Sequence, residues 1–336
     1  MPPSDAALTP AISRRGLLAA APVLGVSGLW ATQALGPPGA LASVRLDDLA
    51  GRTGKRFAGD PGVGRLYYGA VIDHRDSIRA FERQLGHPLG AHRNFHQASQ
   101  VRQLIARARD DVAARRFSML SIKPPGSWKS IADGAHNRWL DEILEGLAEI
   151  DAPMTFTINH EPENNVDNNE NTPQWHKRMT EFVYARADKR APRVHIIQIL
   201  MQYTFRGGNG RNPADWLAPS VDLFGIDAYN YWEPGGSVEW ISFGKMVSRA
   251  QEWADGKPVV IGEYGVHDDP RRPGRAAKWM RKAFRYARRH DVVAMNYFNT
   301  APRGASAPFT LDGERLRAFE RCLKRDRSVR LKYKER

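Results

Sequence analysis

The strongest constraint on the fold is an alternation that begins near residue 65 and continues along most of the chain. Short segments rich in β-branched and aromatic residues alternate with longer segments whose apolar residues recur every three or four positions. The first pattern is typical of buried strands and the second of amphipathic helices. Eight segments are predicted as strands: 65–73, 91–97, 117–123, 154–161, 194–203, 221–229, 258–265 and 292–299. Eight strands separated by helices predict an α/β protein whose parallel sheet closes into a (β/α)8 TIM barrel.

The segments between the strands support this interpretation. Residues 137–150 place their apolar side chains at the spacing of one helix face. Further helices are predicted at 100–115, 175–187, 243–253 and 276–289. The connection 205–220 departs from the pattern, because it has room only for a short helix near 214–217.

The main alternative fold is an open doubly wound sheet. Such a sheet usually carries a glycine-rich turn after its first strand, whereas residues 74–76 here read His-Arg-Asp. The glycine-rich loop 207–210 lacks the Gly-Lys-Ser/Thr ending of a phosphate-binding loop, and we interpret it as a plain turn. The sequence therefore favours the closed barrel.

The first 42 residues are predicted to be a removable export signal. Arg14 and Arg15 precede a moderately apolar stretch that ends at the small-residue site Ala40-Leu41-Ala42. Twin arginines in this position are typical of the twin-arginine export route. The stretch contains glycines and a proline and is too short and too weakly apolar for a membrane helix. We therefore expect a secreted or cell-wall-associated protein without a membrane anchor.

The rest of the chain divides into a lead-in segment at 43–64, the barrel at 65–325 and a solvated basic tail at 326–336. Cys322 is the only cysteine, which excludes an intrachain disulfide and a cysteine-rich metal site. The formal charge of +13 comes without a nucleic-acid-binding motif, and its basic residues are spread along the helices. We interpret it as a solvated basic surface that can contact an anionic cell wall, and we expect a monomer that does not bind nucleic acid.

Two of the predicted strands end in a glutamate. Glu161 ends the fourth strand and Glu263 follows the apolar run of the seventh. The C-terminal ends of barrel strands converge on one mouth, where enzymes of this fold carry out their chemistry. Two carboxyl groups suit glycosidic cleavage, because one donates a proton to the leaving oxygen and the other attacks the anomeric carbon or guides water to it. A glycosidase is therefore the favoured function.

The residues around both glutamates resemble one group of enzymes. Glutamates at the ends of strands four and seven are the hallmark of the large clan of retaining barrel glycoside hydrolases. The pair His160-Glu161 is similar to that of glycoside hydrolase family 26, which includes β-mannanases. The segments 262–264 (Gly-Glu-Tyr) and 225–229 (Gly-Ile-Asp-Ala-Tyr) add to the likeness. In strand order the resemblance extends over residues 65–299.

This resemblance implies a role for each matching residue. It implies Glu161 as the acid/base and Glu263 as the nucleophile of a retaining enzyme. Tyr229 would donate a hydrogen bond to the nucleophile, and His160 would position the site. Arg93, at the end of strand two, would be the arginine that steadies the nucleophile.

The chain also departs from the mannanase pattern. Thr157 stands where mannanases of this family usually carry an arginine, and residues 162–171 are rich in asparagine instead of aromatic residues. We interpret this segment as a solvated loop or, as an alternative, a source of sugar contacts, with Asn164 as its candidate supporting residue. A calcium site is a minor alternative, because the segment has no glycine at the turn position of the calcium-loop pattern. The expected substrate is therefore a mannan-like or another β-glycan.

Aromatic residues near strand ends are candidates for stacking on sugar rings. On strand eight, Tyr297 and Phe298 take the place of the usual tryptophan, and Tyr297 is the candidate kept as a substrate-binding residue. Four tryptophans follow strand-end regions, and one or two of them are expected to stack on sugars, with Trp232 kept as the candidate: Trp128, Trp175, Trp232 and Trp240.

Two other functions fit the same barrel. A metal-dependent hydrolase would draw ligands from His160, His267, Asp268 and Asp269, although the chain has no clear His-x-His motif on an early strand. A non-catalytic sugar-binding barrel is disfavoured because both glutamates are present. We expect a hydrolase that needs neither a metal nor a cofactor.

Overall fold

The computed structural model describes residues 56–72, 77–167, 169–300 and 309–333. In this part of the chain eight parallel strands form a closed barrel in sequence order. The strands are β1 (Tyr67–Ile72), β2 (Ala91–His96), β3 (Phe117–Ile122), β4 (Met154–Ile158), β5 (Val194–Met201), β6 (Leu223–Asn230), β7 (Val259–Val266) and β8 (Val292–Asn299). The predicted (β/α)8 barrel and all eight predicted strands are confirmed.

The helices lie between the strands and after the last one. They are α1 (Ile78–Leu85), α2 (Val101–Ala113), α3 (Trp128–Ala132), α4 (Asn137–Ala148), α5 (Pro173–Arg190), α6 (Pro213–Trp216), α7 (Phe243–Gln251), α8 (Arg275–Arg289) and α9 (Gly313–Leu323). All the helices named from the sequence are present. The sequence did not predict α1, α3 and α9; the first two are short, and α3 has only five residues.

The strands are buried on both faces, as expected where helices cover the outside of a parallel sheet. The barrel closes through β1 and β8, which pair over all six residues of β1. One irregularity bears on the site: the register between β6 and β7 shifts at Ile226/Asp227, and this shift pairs Asp227 with Glu263.

The segments before β1 and after α9 pack against the N-terminal ends of the strands. Phe57 is buried against Phe117, with ring centroids 6.5 Å apart. After α9, the backbone N–H of Leu66 donates to the Arg327 carbonyl (3.0 Å), and the N–H of Leu331 donates to Arg115 (2.9 Å). Leu331 is buried. Within the predicted basic tail at 326–336, residues 327, 329 and 331 therefore hydrogen-bond to the barrel through their backbone, while residues 326, 327 and 332 are exposed to solvent.

The predicted export signal at 1–42 lies outside the described residues, as does the lead-in segment up to residue 55. Within the described ranges, none of the helices has the length and apolar character needed to cross a membrane.

Candidate active site

The backbone turns sharply where β4 ends, and this turn presents Glu161. Asn159 and Glu161 have φ values of 52° and 45°, which is the left-handed region that non-glycine residues rarely occupy. Two backbone hydrogen bonds hold the turn: Asn159 N donates to Ile122 O (2.9 Å), and Glu161 N donates to Ile199 O (3.0 Å). Unusual backbone angles held by their surroundings are common at functional sites. The neighbouring strands β3 and β5 therefore fix the position of Glu161.

Glu263 lies near the end of β7, in the middle of a polar cluster. Tyr229 Oη donates to Glu263 Oε2 at 2.5 Å. Arg93 Nη2 lies 3.7 Å and His160 Nε2 lies 4.0 Å from Glu263 Oε1. The structure thus brings together four of the residues named from the sequence. Arg93 is almost fully buried, so its charge acts on Glu263 with little screening by solvent.

Asp227 is a third carboxyl group in this cluster, and the sequence analysis assigned it no role. It lies on β6 opposite Glu263 and is buried. Gly262 leaves the space for it, because a Cβ atom at position 262 would collide with Asp227 Oδ1. Burial, and then the negative charges of Glu263 and Glu161, raise the pKa of Asp227 well above its ordinary value. The protonated form of Asp227 is therefore favoured by its surroundings.

The two catalytic candidates differ in their surroundings. Burial, and then the charges of Glu263 and Glu163, raise the pKa of Glu161 to about 8. Asn164 Nδ2 also donates to Glu161 Oε2 at 3.2 Å. Burial also raises the pKa of Glu263, but the charge of Arg93 and the hydrogen bond from Tyr229 oppose that effect. The arrangement therefore suits a protonated Glu161, while Arg93 and Tyr229 favour the ionised form of Glu263 against the effect of burial.

His160 lies between these groups as a neutral side chain. Its Nδ1 is hydrogen-bonded to Ser121 Oγ at 2.9 Å, which fixes the ring. Burial, and then the charges of Arg93 and Lys123, lower the pKa of His160 well below its ordinary value. A neutral imidazole can donate or accept a hydrogen bond without adding a charge to the site.

Two exposed aromatic side chains that were not predicted from the sequence flank the glutamates. Phe95 is 36% exposed and lies 4.9 Å from the His160 ring. Tyr231 is 50% exposed and stacks on Tyr229 with ring centroids 5.3 Å apart. The sequence does contain a feature that could have identified them: each is an aromatic residue near the C-terminal end of a strand. Both could stack on sugar rings.

Other aromatic candidates from the sequence lie elsewhere. Tyr297 is fully buried and packs against Tyr264 and Phe319 on the outer side of the barrel. The prediction for Tyr297 is therefore corrected. Successive strand residues point to opposite faces, and it is Phe298, next along β8, that lies beside Tyr229 at 5.6 Å.

The tryptophans are packed against neighbouring side chains. Trp128 is buried against His176, with centroids 5.0 Å apart. Trp232 packs against Trp240, and the Arg275 guanidinium lies over both rings. Trp175 lies beneath two cationic side chains, those of Lys129 and Arg178.

The residues suggested from the sequence as metal ligands do not form one cluster. His267 lies 3.4 Å from Glu233, Asp268 pairs with Arg315 and Asp269 pairs with Arg275. In the ranges that the structure describes, no group of three His, Cys, Asp or Glu side chains is placed to hold a metal ion.

No protein-family model and no curated protein sequence matches the chain. Solved structures match its fold. The family 26 glycoside hydrolase domain of an endo-β-mannanase/endo-β-glucanase from Prevotella bryantii has a TM-score of 0.55 and 10% identity, over 79% of this chain and 90% of that one. The catalytic domain of a family 26 endo-β-1,4-mannanase from a Bacillus species has a TM-score of 0.54 and 14% identity, over 85% and 89%. A family 39 glycoside hydrolase from Bacteroides cellulosilyticus has a TM-score of 0.52 and 13% identity, over 77% and 64%. These likenesses show that the chain has the barrel fold of glycoside hydrolases.

Proposed function

We propose that the chain is a retaining glycoside hydrolase that cleaves β-glycosidic bonds in a polysaccharide, with Glu161 as acid/base and Glu263 as nucleophile. One observation carries the proposal: the two carboxyl groups share a buried site in which the pKa of Glu161 is raised to about 8, while Arg93 and Tyr229 contact Glu263 and oppose the effect of burial on its pKa. The structural neighbours from Prevotella and Bacillus, which act on mannan or glucan, support a β-glycan as the substrate.

The arrangement accounts for both steps of a double displacement. In the first step Glu263 attacks the anomeric carbon while Glu161 gives its proton to the leaving oxygen. Esterification removes the negative charge of Glu263, which is the second-largest cause of the raised pKa of Glu161. The pKa of Glu161 then falls, so the ionised residue can take a proton from the water that hydrolyses the intermediate.

The surrounding residues orient the nucleophile. Arg93 and Tyr229 approach different oxygens of Glu263, so together they fix the plane of its carboxylate. His160 is held by Ser121 and reaches toward Glu263 Oε1. Such positioning groups typically contribute less to the rate than the reacting groups do.

The proposed location is outside the cell or on its wall. Two features support it: the twin arginines Arg14 and Arg15 before an apolar run, and the basic character of α8, which carries seven Lys and Arg residues and no acidic residue. A basic helix face favours contact with an anionic polymer. Replacing Arg14 and Arg15 by lysine should trap unprocessed precursor in the cell, whereas continued export of mature protein would contradict the twin-arginine route.

Azide rescue tests the assignment of the two glutamates on 2,4-dinitrophenyl β-glycosides. These substrates need little protonation of the leaving group, so Glu161→Ala should form the covalent intermediate, and azide should convert it to a product of retained configuration. In Glu263→Ala, azide should occupy the vacant space and give a product of inverted configuration. The same stereochemistry from both variants, or full activity in either, would contradict the proposal.

A further inference from the structure

The strands on both sides of β4 bring basic side chains to the Glu161 side of the barrel mouth, and among the described residues these side chains form no ion pair within 4.0 Å, although the charge of Lys123 acts on Glu161 and that of Arg211 on Glu163. On β3, Lys123 follows the last strand residue, and its N–H donates to His96 O (3.0 Å), which extends the pairing by one position. Lys123 is two residues after Ser121, so both side chains point toward the mouth. Ser121 contacts His160 there.

The ammonium group of Lys123 is half-buried and has a single neutral partner. Its Nζ donates to Asn165 Oδ1 at 3.3 Å, in the turn that follows Glu161. No carboxylate of the described residues lies within 4.0 Å of it. A partly desolvated cation without a counter-charge is costly, so such a position is suited to an anionic ligand.

The loop after β5 adds two further basic side chains on the other side of β4: Arg206 is exposed, and Arg211 is half-buried and donates to Thr204 Oγ1 at 3.2 Å. Tyr203 is 43% exposed, and the guanidinium groups of Arg206 and Arg211 lie 5.7 Å and 5.3 Å from its ring centroid. Within the described ranges, neither arginine forms an ion pair at 4.0 Å or less. Glu163 ties this loop to the Glu161 turn, since its Oε1 accepts hydrogen bonds from Met201 N (3.0 Å) and Thr204 Oγ1 (2.6 Å).

We propose that the Glu161 side of the mouth binds a sugar that carries a carboxylate, so that the substrate is an acidic β-glycan such as a polyuronate. This inference rests on the proposed function, in which Glu161 protonates the leaving oxygen and the leaving sugar lies on its side. Lys123, Arg206 and Arg211 would pair with carboxylates, and Tyr203 would stack on a ring. The formal charge of +13 would also speed encounter with a polyanion.

A competing role for Lys123 is to stabilise ionised Glu161, because its charge lowers the pKa of that residue. That role would affect all substrates equally, whereas recognition of a carboxylate would affect only acidic ones. The decisive readout is therefore a ratio of kcat/KM values on two matched polymers. β-1,4-Mannan and β-1,4-polymannuronate form one such pair, and cellulose and C6-oxidised cellulose form another, since the members of each pair differ at C6.

The experiment compares wild type, Lys123→Gln, the double variant Arg206→Gln/Arg211→Gln, and the exposed Lys189→Gln at the far end of α5 as a charge-matched control. Wild type should prefer the oxidised polymer, and the first two variants should lower that preference by about tenfold to a hundredfold, the usual range for one or two charged hydrogen bonds. Lys189→Gln should keep it. Preference for the neutral polymers, or an unchanged ratio in both mouth variants, would overturn the proposal.

A binding measurement separates this proposal from the proposed hydrolysis. Calorimetry with mannuronate and mannose hexasaccharides uses the Glu263→Gln variant, with and without Lys123→Gln. Salt-sensitive binding of the acidic oligosaccharide that weakens on Lys123→Gln supports carboxylate recognition even if no polymer is cleaved. If the acidic oligosaccharide does not bind, or if its affinity is the same with and without Lys123→Gln, carboxylate recognition is overturned even if the enzyme is an active hydrolase.

Discussion

His92 and Arg93 are consecutive residues of β2, and both are buried. Their side chains point to opposite faces of the strand, so one contacts the helix layer and the other the barrel mouth. Each belongs to a cluster of buried charge, and the two clusters are built in different ways.

The outer cluster lies between the strands and α2 and has partners for its charges. Asp111 accepts hydrogen bonds from His92 Nδ1 (2.8 Å), Arg116 Nε (2.9 Å) and Ser118 Oγ (3.0 Å). Arg116 in turn donates to both carboxylate oxygens of Glu82 (3.0 and 3.1 Å). Burial alone would raise the pKa of Asp111, but His92 and Arg116 outweigh it and lower the pKa.

The mouth cluster consists of Arg93, Glu161, Asp227 and Glu263, and it is incompletely paired. Among the described residues, the guanidinium nitrogens of Arg93, both oxygens of Asp227 and Oε1 of Glu263 are buried without a hydrogen-bond partner. The pKa values of its three carboxyl groups are all raised. Buried polar groups without partners are costly, and they tend to persist where a ligand or a reaction uses them. The outer cluster therefore stabilises the fold, and the mouth cluster is available for chemistry.

The largest expected effect is on turnover at the mouth cluster. Glu263→Gln removes the nucleophile while keeping the shape of the side chain, so kcat should fall by on the order of 10⁴-fold or more. It also removes a buried carboxyl group whose raised pKa opposes ionisation, which offsets part of the cost of leaving Arg93 without its ion pair, so the melting temperature should fall less than in the outer-cluster variant below. Steady-state kinetics and calorimetry on the same sample check both. A large loss of stability with little loss of turnover would reverse the roles of the two clusters.

The next effect is on stability at the outer cluster. Asp111→Asn leaves the buried charge of Arg116 without one of its two carboxylate partners and should cost about 3–5 kcal/mol of unfolding free energy. Urea denaturation measures this loss. Below the lowered melting temperature, kcat should remain within about threefold of wild type because Asp111 lies outside the mouth. A variant that is stable but inactive would place Asp111 in the catalytic site.

The pH dependence should differ in sign between the clusters. Glu161 has a raised pKa of about 8 against an ordinary 4.5, so its contribution to stability is complete below the lower value and is lost as the pH rises to the upper one. The pKa of Asp111 is lowered, so its contribution is present above 3.8 and is lost as the pH falls. Urea denaturation of wild type and of Asp111→Asn at several acidic pH values tests this. The contribution of Asp111 to the free energy of unfolding should be lost with falling pH in wild type and should be absent from the variant at every pH.

Catalysis gives a second test of the same pKa. If Glu161 must be protonated in the free enzyme, kcat/KM should fall about tenfold for each pH unit above 8. An activated aryl glycoside should depend less on this proton. If kcat/KM falls equally steeply above pH 8 for substrates with good and with poor leaving groups, Glu161 is not the acid.

The sequence predicted most of the fold because the strand and helix periods are local properties. The segment 292–299 matches β8 at both ends, whereas short helices such as α1 carry too few turns for a clear period. The positions of Glu161 and Glu263 at strand ends suggested a pair of catalytic carboxyl groups, and the resemblance to family 26 implied which of them is the acid/base and which the nucleophile. Asp227 was assigned no role because its partner is set by the register shift between β6 and β7, which pairs residues far apart in sequence. The prediction of Tyr297 as a substrate-binding residue was wrong by one position, because neighbouring residues of a strand point to opposite faces.

The smallest expected effect comes from an aspartate-to-asparagine substitution in the mouth cluster, which matches Asp111→Asn in the outer cluster. Asp227→Asn replaces a buried carboxyl group, whose pKa is raised well above its ordinary value by burial and by the charges of Glu263 and Glu161, with a neutral amide of the same shape. Neither oxygen of Asp227 has a hydrogen-bond partner among the described residues, so the substitution breaks no existing hydrogen bond and kcat should change by less than about tenfold. Unfolding free energy should stay within about 1 kcal/mol of wild type, in contrast to Asp111→Asn. Because both variants exchange one oxygen for one nitrogen, the comparison isolates the effect of the surroundings. A loss of turnover approaching that of Glu263→Gln would mean that Asp227 acts as an ionised group, and the mouth would then hold a third reactive carboxylate.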